Sequence, residues 1–112
     1  MSNSGEVFVS GAFVLLTLHT PREKYFGTLQ ALTPAGITLR GMDINSLEDF
    51  AAQVKAGDHV SAGIVFLPMY RVEKMEMDQS SEHVPSIHQT LSGKTGGSVE
   101  SIRRMFDWTD RN

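Results

Sequence analysis

The longest apolar run of the chain, Val7 to Leu18, is broken only by Ser10, Gly11 and Thr17. It falls short of the roughly 20 residues that a membrane helix needs. The only charge ahead of it is Glu6, whereas a secretory leader carries positive charge at that place. A cytoplasmic chain without a membrane span is therefore the expectation. Its Val, Phe and Leu content suits a buried strand. Val14, Leu16 and Leu18 alternate with Phe13, Leu15 and Thr17, so both faces of that strand are apolar.

Beyond Leu18, short apolar runs alternate with turn signals. Thr20-Pro21-Arg22 ends the first strand, because proline lacks a ladder donor and fixes its own φ. Tyr25 to Leu32 resumes as strand around an interior Gly27, and such a glycine marks a sharp bend or a close backbone approach. Thr33-Pro34-Ala35-Gly36 is a tight turn, and Ile37 to Arg40 is the next strand. At Asn45-Ser46 the period changes, and either residue can cap a helix N-terminus. Leu47, Phe50, Ala51 and Val54 fall at helical spacing, with Glu48 and Asp49 in the first turn and Gly57 placed to end the helix. Val60 to Leu67 and Tyr70 to Met77 read as strands, interrupted at Pro68. The order strand, strand, strand, helix, strand, strand predicts a mainly β fold, a small, strongly bent antiparallel barrel with a short helix at about 46–57.

After Asp78 the composition shifts to a Gly-, Ser- and Thr-interrupted segment. The predicted organisation is an N-terminal segment 1–11, a barrel 12–78 and a helical extension 79–112. A chain of 112 residues suits one domain of this size. No cysteine is present, which excludes disulfides, thiol catalysis and thiolate zinc sites. Ten Lys and Arg against 13 Asp and Glu give a net charge of −3, which argues against non-specific binding of polyanions.

Val14-x-Leu16-x-Leu18, then Tyr25-x-Gly27-x-Leu29 and Ile37-Thr38-Leu39, resemble the first motif of the Sm-like (LSm) family. Val65-Phe66-Leu67 followed by Val72 and Met75 resemble its second motif. The resemblance spans residues 12–78 and implies a bent five-stranded, SH3-like barrel. Its fourth and fifth strands would pair between copies to close a homo-oligomeric ring, commonly of about six or seven subunits. Val65, Phe66, Leu67, Val72 and Met75 are then the expected interface. In the family, single-stranded RNA is held by an Asp, a stacking residue and an Asn after the second strand, and by an Arg-Gly pair between strands four and five. Here the Asp position carries Thr33, the next two carry Ala35 and Gly36, and the pair is replaced by Pro68-Met69. Stacking needs a π-face and base-edge readout an amide or guanidinium, which this loop does not offer.

The residues left as RNA candidates are Arg40, Tyr70 and Arg71, with Arg22 and Lys24 nearby in sequence. Glu23, Glu73, Glu76 and Asp78 interleave with these cations, so neutralisation across and along strands accounts for them more simply. The four histidines, His19, His59, His83 and His88, show no helical ligand spacing and read as surface or turn residues; no metal site and no cofactor are expected. Gly93-Lys94-Thr95-Gly96-Gly97 lacks the upstream glycine of a phosphate loop and reads as a hinge. No nucleophile motif occurs, so an enzyme is not expected. In the tail, Val84, Ile87, His88 and Leu91 form one short apolar stripe, with Pro85 in the first turn. Val99, Ile102, Met105 and Phe106 form another, capped by Ser98. Each is too short to stand alone, so packing within the same assembly is expected. The leading expectation is a non-catalytic ring-forming scaffold with RNA as a candidate ligand. Its rivals are a module recruiting a protein partner through a Phe106–Trp108 tail end, and a monomeric SH3-like regulatory barrel.

Overall fold

The computed structural model of the protein describes residues 8–107. Five strands run as β1 (Phe13–Leu18), β2 (Glu23–Thr33), β3 (Gly36–Asp43), β4 (Gly63–Pro68) and β5 (Val72–Met77). Helix α1 (Leu47–Lys55) lies between β3 and β4, and α2 (Ile87–Thr95) and α3 (Val99–Met105) follow β5. The strands make one antiparallel sheet in the order β4-β3-β2-β1-β5. The fold is mainly β, with the helices gathered on one side.

The connection between β4 and β5 dictates the shape of that sheet. These two strands are its opposite edges, four strand spacings of about 4.8 Å apart, or roughly 19 Å if the sheet were flat. Only the 3₁₀ turn Met69–Arg71 joins them, and the chain from Pro68 to Val72 reaches at most about 14 Å. The sheet must therefore curl, although β4 and β5 do not pair with each other. Bulges between Leu29 and Ala31 and between Thr17 and Leu18 sharpen the bend. So does the Gly27–Gly41 pair of β2 and β3. A Cβ on Gly27 would run into the Arg40 carbonyl, and one on Gly41 into the Phe26 carbonyl.

Curling gives the sheet two cores, divided by the alternation of side chains. Val14, Leu16 and Leu18 of β1 join Leu29, Ile37, Leu39 and Leu67 on the concave face. Phe13 and Phe26 face outward against Phe50 and Ala51 of α1, Leu91 of α2, Ile102 of α3 and Phe106. The Phe106 ring meets Phe13, Phe26 and Phe50 edge-on at 5.4–5.7 Å. Its carbonyl accepts the buried Thr28 hydroxyl at 2.6 Å. Residues expected as an extension thus complete the outer core, each buried large side chain contributing on the order of 1.5–3 kcal/mol. Phe106 is fully buried, whereas Trp108 lies outside the described residues.

Element ends differ from expectation for local reasons. β4 begins at Gly63 rather than Val60, because Ala62 donates its N–H to the Met105 carbonyl (2.9 Å) and runs beneath α3. β5 begins at Val72 rather than Tyr70, since Met69–Arg71 form the 3₁₀ turn. Helix α1 is not side-chain-capped by Ser46. A 3₁₀ turn, Ile44–Ser46, precedes it, and Asp43 caps that turn by accepting the Asn45 N–H at 2.7 Å. Pro85 precedes the cap of α2 instead of occupying its first turn. Ser86 is the cap, in a reciprocal capping box with Gln89. Gly93, Lys94 and Thr95 are helical, and the hinge is Gly96-Gly97, where Gly96 takes φ +76°.

Candidate interaction site

The two sheet edges and the turns beside them carry most of the residues the sequence singles out. The β2–β3 turn is organised by Thr33, whose hydroxyl accepts the N–H groups of Ala35 (3.2 Å) and Gly36 (3.3 Å) and donates to the Gly36 carbonyl (3.2 Å). Met69 donates its N–H to the Ala35 carbonyl at 2.9 Å, tying this turn to the one between β4 and β5. The resulting rim is largely apolar, with Arg71 its one charged residue among those described. Leu32 is half exposed, Pro34 and Ala35 are exposed, and Tyr70 stands out at 79% exposure.

Arg40, Tyr70 and Arg71 are not brought into one cluster. Arg40 lies within β3, opposite Thr28 and Ile64, four residues and about 13 Å along the strand from Gly36 at the rim. Arg71 turns away from solvent. Its Nε donates to the His19 carbonyl (2.9 Å), and one Nη donates to the Pro21 carbonyl (3.0 Å) and pairs with Glu23 (2.8 Å). These bonds pin the β1–β2 loop to the start of β5. Tyr25, nearby on β2, has its phenol pushed above the ordinary value of 10.0 by burial first, then by the carboxylates of Glu23 and Asp43; Arg71 opposes the shift.

The expected interface residues divide by strand alternation. Val65, Val72 and Met75 are partly buried against the concave core and Leu67 is inside it, so what they present at the edges is mainly backbone. Phe66 points the other way and is 54% exposed, its ring over Gly36, where a Cβ would come within 2.5 Å of it. Ile64, 49% exposed beside it, was not among the expected residues. The period of two in Ile64-Val65-Phe66-Leu67 is the signal that separates the pairs. The β5 edge is unlike β4: Glu73, Lys74 and Glu76 are exposed there, with Lys74–Glu76 at 3.9 Å and Arg22–Glu73 at 3.5 Å.

His88 differs from the surface or turn residue the sequence suggests. It stacks on Phe13 (centroids 4.6 Å apart), and its Nδ1 lies 2.7 Å from Asp78. Asp78 also accepts the N–H groups of Ile87 and His88, so a carboxylate at the end of β5 caps α2, five per cent of its side chain exposed. His19, His59 and His83 are exposed. Among the described residues, no three His, Asp or Glu come together as metal ligands, and no helix is long and apolar enough to cross a membrane. The cleft between α1 and α2, about 230 Å³, is lined by Ile44, Leu47, Ile87 and Leu91, with the Lys94–Glu48 pair (2.9 Å) at its lip. Comparison with protein-family models, curated proteins and solved structures finds no match.

Proposed function

We propose that the chain is an Sm-like barrel that acts as a non-catalytic scaffold by assembling, edge to edge, into a closed homo-oligomer. The observation that carries this reading is β4. It is an edge strand with no charged residue, an outer row of backbone groups without a strand neighbour among the described residues, and half-exposed Ile64 and Phe66. Such an edge is a pairing site unless something covers it. The other edge, β5, carries charges instead. Unlike edges favour head-to-tail contacts, and a curled sheet with its edges close together gives the rotation that closes a ring.

The residues on the rim favour protein over RNA as what this scaffold meets. Two of the donor groups of Arg71 are committed to the chain's own carbonyls, and the rim beside Tyr70 carries no other side-chain amide or guanidinium for base edges. The tail's two apolar stripes are largely spent within the same chain, through Leu91, Ile102 and Phe106, with Val84 and Val99 left exposed. Light scattering on the purified protein is expected to give several times 12.3 kDa. A monomer across the accessible concentration range refutes the assembly. Salt-sensitive binding of a labelled single-stranded RNA, lost on Tyr70→Ala, would restore RNA as the ligand.

A further inference from the structure

Among the described residues, Arg40 is left without a partner. It lies on the outer face of the sheet, half-buried, cross-strand from Thr28 on β2 and Ile64 on β4. Its Nε is shielded from solvent and meets no hydrogen-bond partner among the described residues. A guanidinium held this way bears a desolvation cost that a nearby carboxylate would offset. The adjacent strand offers none, because Gly63–Pro68 contains no charged residue. Beyond β4 no further strand follows among the described residues, so a group that completes Arg40 has room to arrive with whatever pairs there.

The opposite edge of the molecule has the complementary group. Lys74 and Glu76 oppose Thr17 and Leu15 of β1, which places both on the outer face of β5. Glu76 alone of the two is opposite in charge to Arg40. Its contact with Lys74 is long, at 3.9 Å, and half exposed, so it is easily exchanged. When β5 of a second copy runs antiparallel along β4 with Glu76 opposite Ile64, Lys74 falls opposite Phe66 and Met75 opposite Val65. The lysine stem then covers an exposed ring, and the concave cores of the two copies become continuous. Arg40 and Glu76 are then two strands apart, about 10 Å between backbones, a span that two long side chains bridge across Ile64.

We infer that Glu76 of a neighbouring copy pairs with Arg40 and sets the register in which the two edges meet. This rests on the edge-to-edge assembly proposed above and adds the contact that selects its alignment. The test is a charge exchange read by sedimentation velocity over a range of protein concentrations, with circular dichroism to establish that each variant folds. Arg40→Glu and Glu76→Arg should each raise the concentration of half-assembly at least about tenfold by setting like charges together. The double variant Arg40→Glu/Glu76→Arg should return it to within about threefold of the original. If the unaltered protein assembles and the folded single variants assemble equally well, the pair is refuted and the ring stands. Rescue of Arg40→Glu by Glu73→Arg instead refutes the register. If the unaltered protein is a monomer, both fail.

Discussion

Replacing Phe106 with alanine tests whether the C-terminal helices belong to the core or merely lie on it. The ring is fully buried and makes edge-on contacts with Phe13, Phe26 and Phe50. Phe→Ala at such a site costs about 3–5 kcal/mol in lost transfer energy and residual cavity. The bond from the Thr28 hydroxyl to the Phe106 backbone carbonyl does not involve the ring, so the loss reads the ring alone. With about 4 kcal/mol lost and a urea dependence near 1.5 kcal/mol/M, the unfolding midpoint should fall by about 2–3 M. That is a large part of the 5–15 kcal/mol typical of whole domains, so the variant sits near the threshold of folding at 25 °C. Val99→Ala, at the start of the short helix that Phe106 ends and 39% exposed, is the control and should cost less than about 1 kcal/mol. A loss below about 1 kcal/mol for Phe106→Ala, with unchanged denaturant dependence, would refute a shared core.

Gly41→Ala should cost at least about 2 kcal/mol, since the new Cβ would meet the Phe26 carbonyl and lie 2.7 Å from the Gly27 Cα, and backbone cannot step aside. Gly93→Ala, in open space on α2, should instead stabilise by about 0.5–1 kcal/mol; thermal melts of the pair decide it. Arg71→Lys should lower stability by about 1 kcal/mol, because an ammonium cannot hold the His19 and Pro21 carbonyls together with Glu23; an unchanged melt would free Arg71 for an external ligand. The raised phenol of Tyr25 means the folded state holds its proton longer than the unfolded chain does. Its contribution is whole below about pH 10 and is lost as pH rises through the folded value. Tyr25→Phe should therefore flatten the alkaline fall in stability measured by urea titration above pH 10, and equal slopes for the two proteins would contradict this.

Strand and helix identities could be read from the chain because they depend on local period and punctuation. FVLLTL, the Thr-Pro-Ala-Gly turn and the Leu47–Val54 spacing each specify their element without help from elsewhere. Where tertiary contacts set the boundary, sequence and structure part. Val60 and Tyr70 have strand-forming neighbours, yet the first precedes a segment bonded to Met105 and the second sits in a turn that links two edges. The likeness of Arg71 to a ligand contact came from its position in the chain, while its partners, His19 and Pro21, are some fifty residues away. Asp78 as a helix cap depended on a contact ten residues on, which no local pattern announces. Ile64 was visible in principle, since strict alternation along β4 separates it and Phe66 from the residues facing the core.

The two-faced character of β1 bears on how the chain finds its alignment while folding. In a half-buried strand, a slip of one residue exposes the apolar set to water and is rejected for that reason. In β1 both sets are apolar and both are covered, so polarity exerts little veto. Bulk must discriminate instead. Val14 stands opposite Gly27, where β2 and β3 come too close to admit a Cβ, and a slip would bring Phe13 or Leu15 onto that site. Exchanging Phe13 and Val14 would keep the composition and apolar content of the strand yet remove its steric key. A protein so altered should populate misaligned, slowly correcting states during refolding.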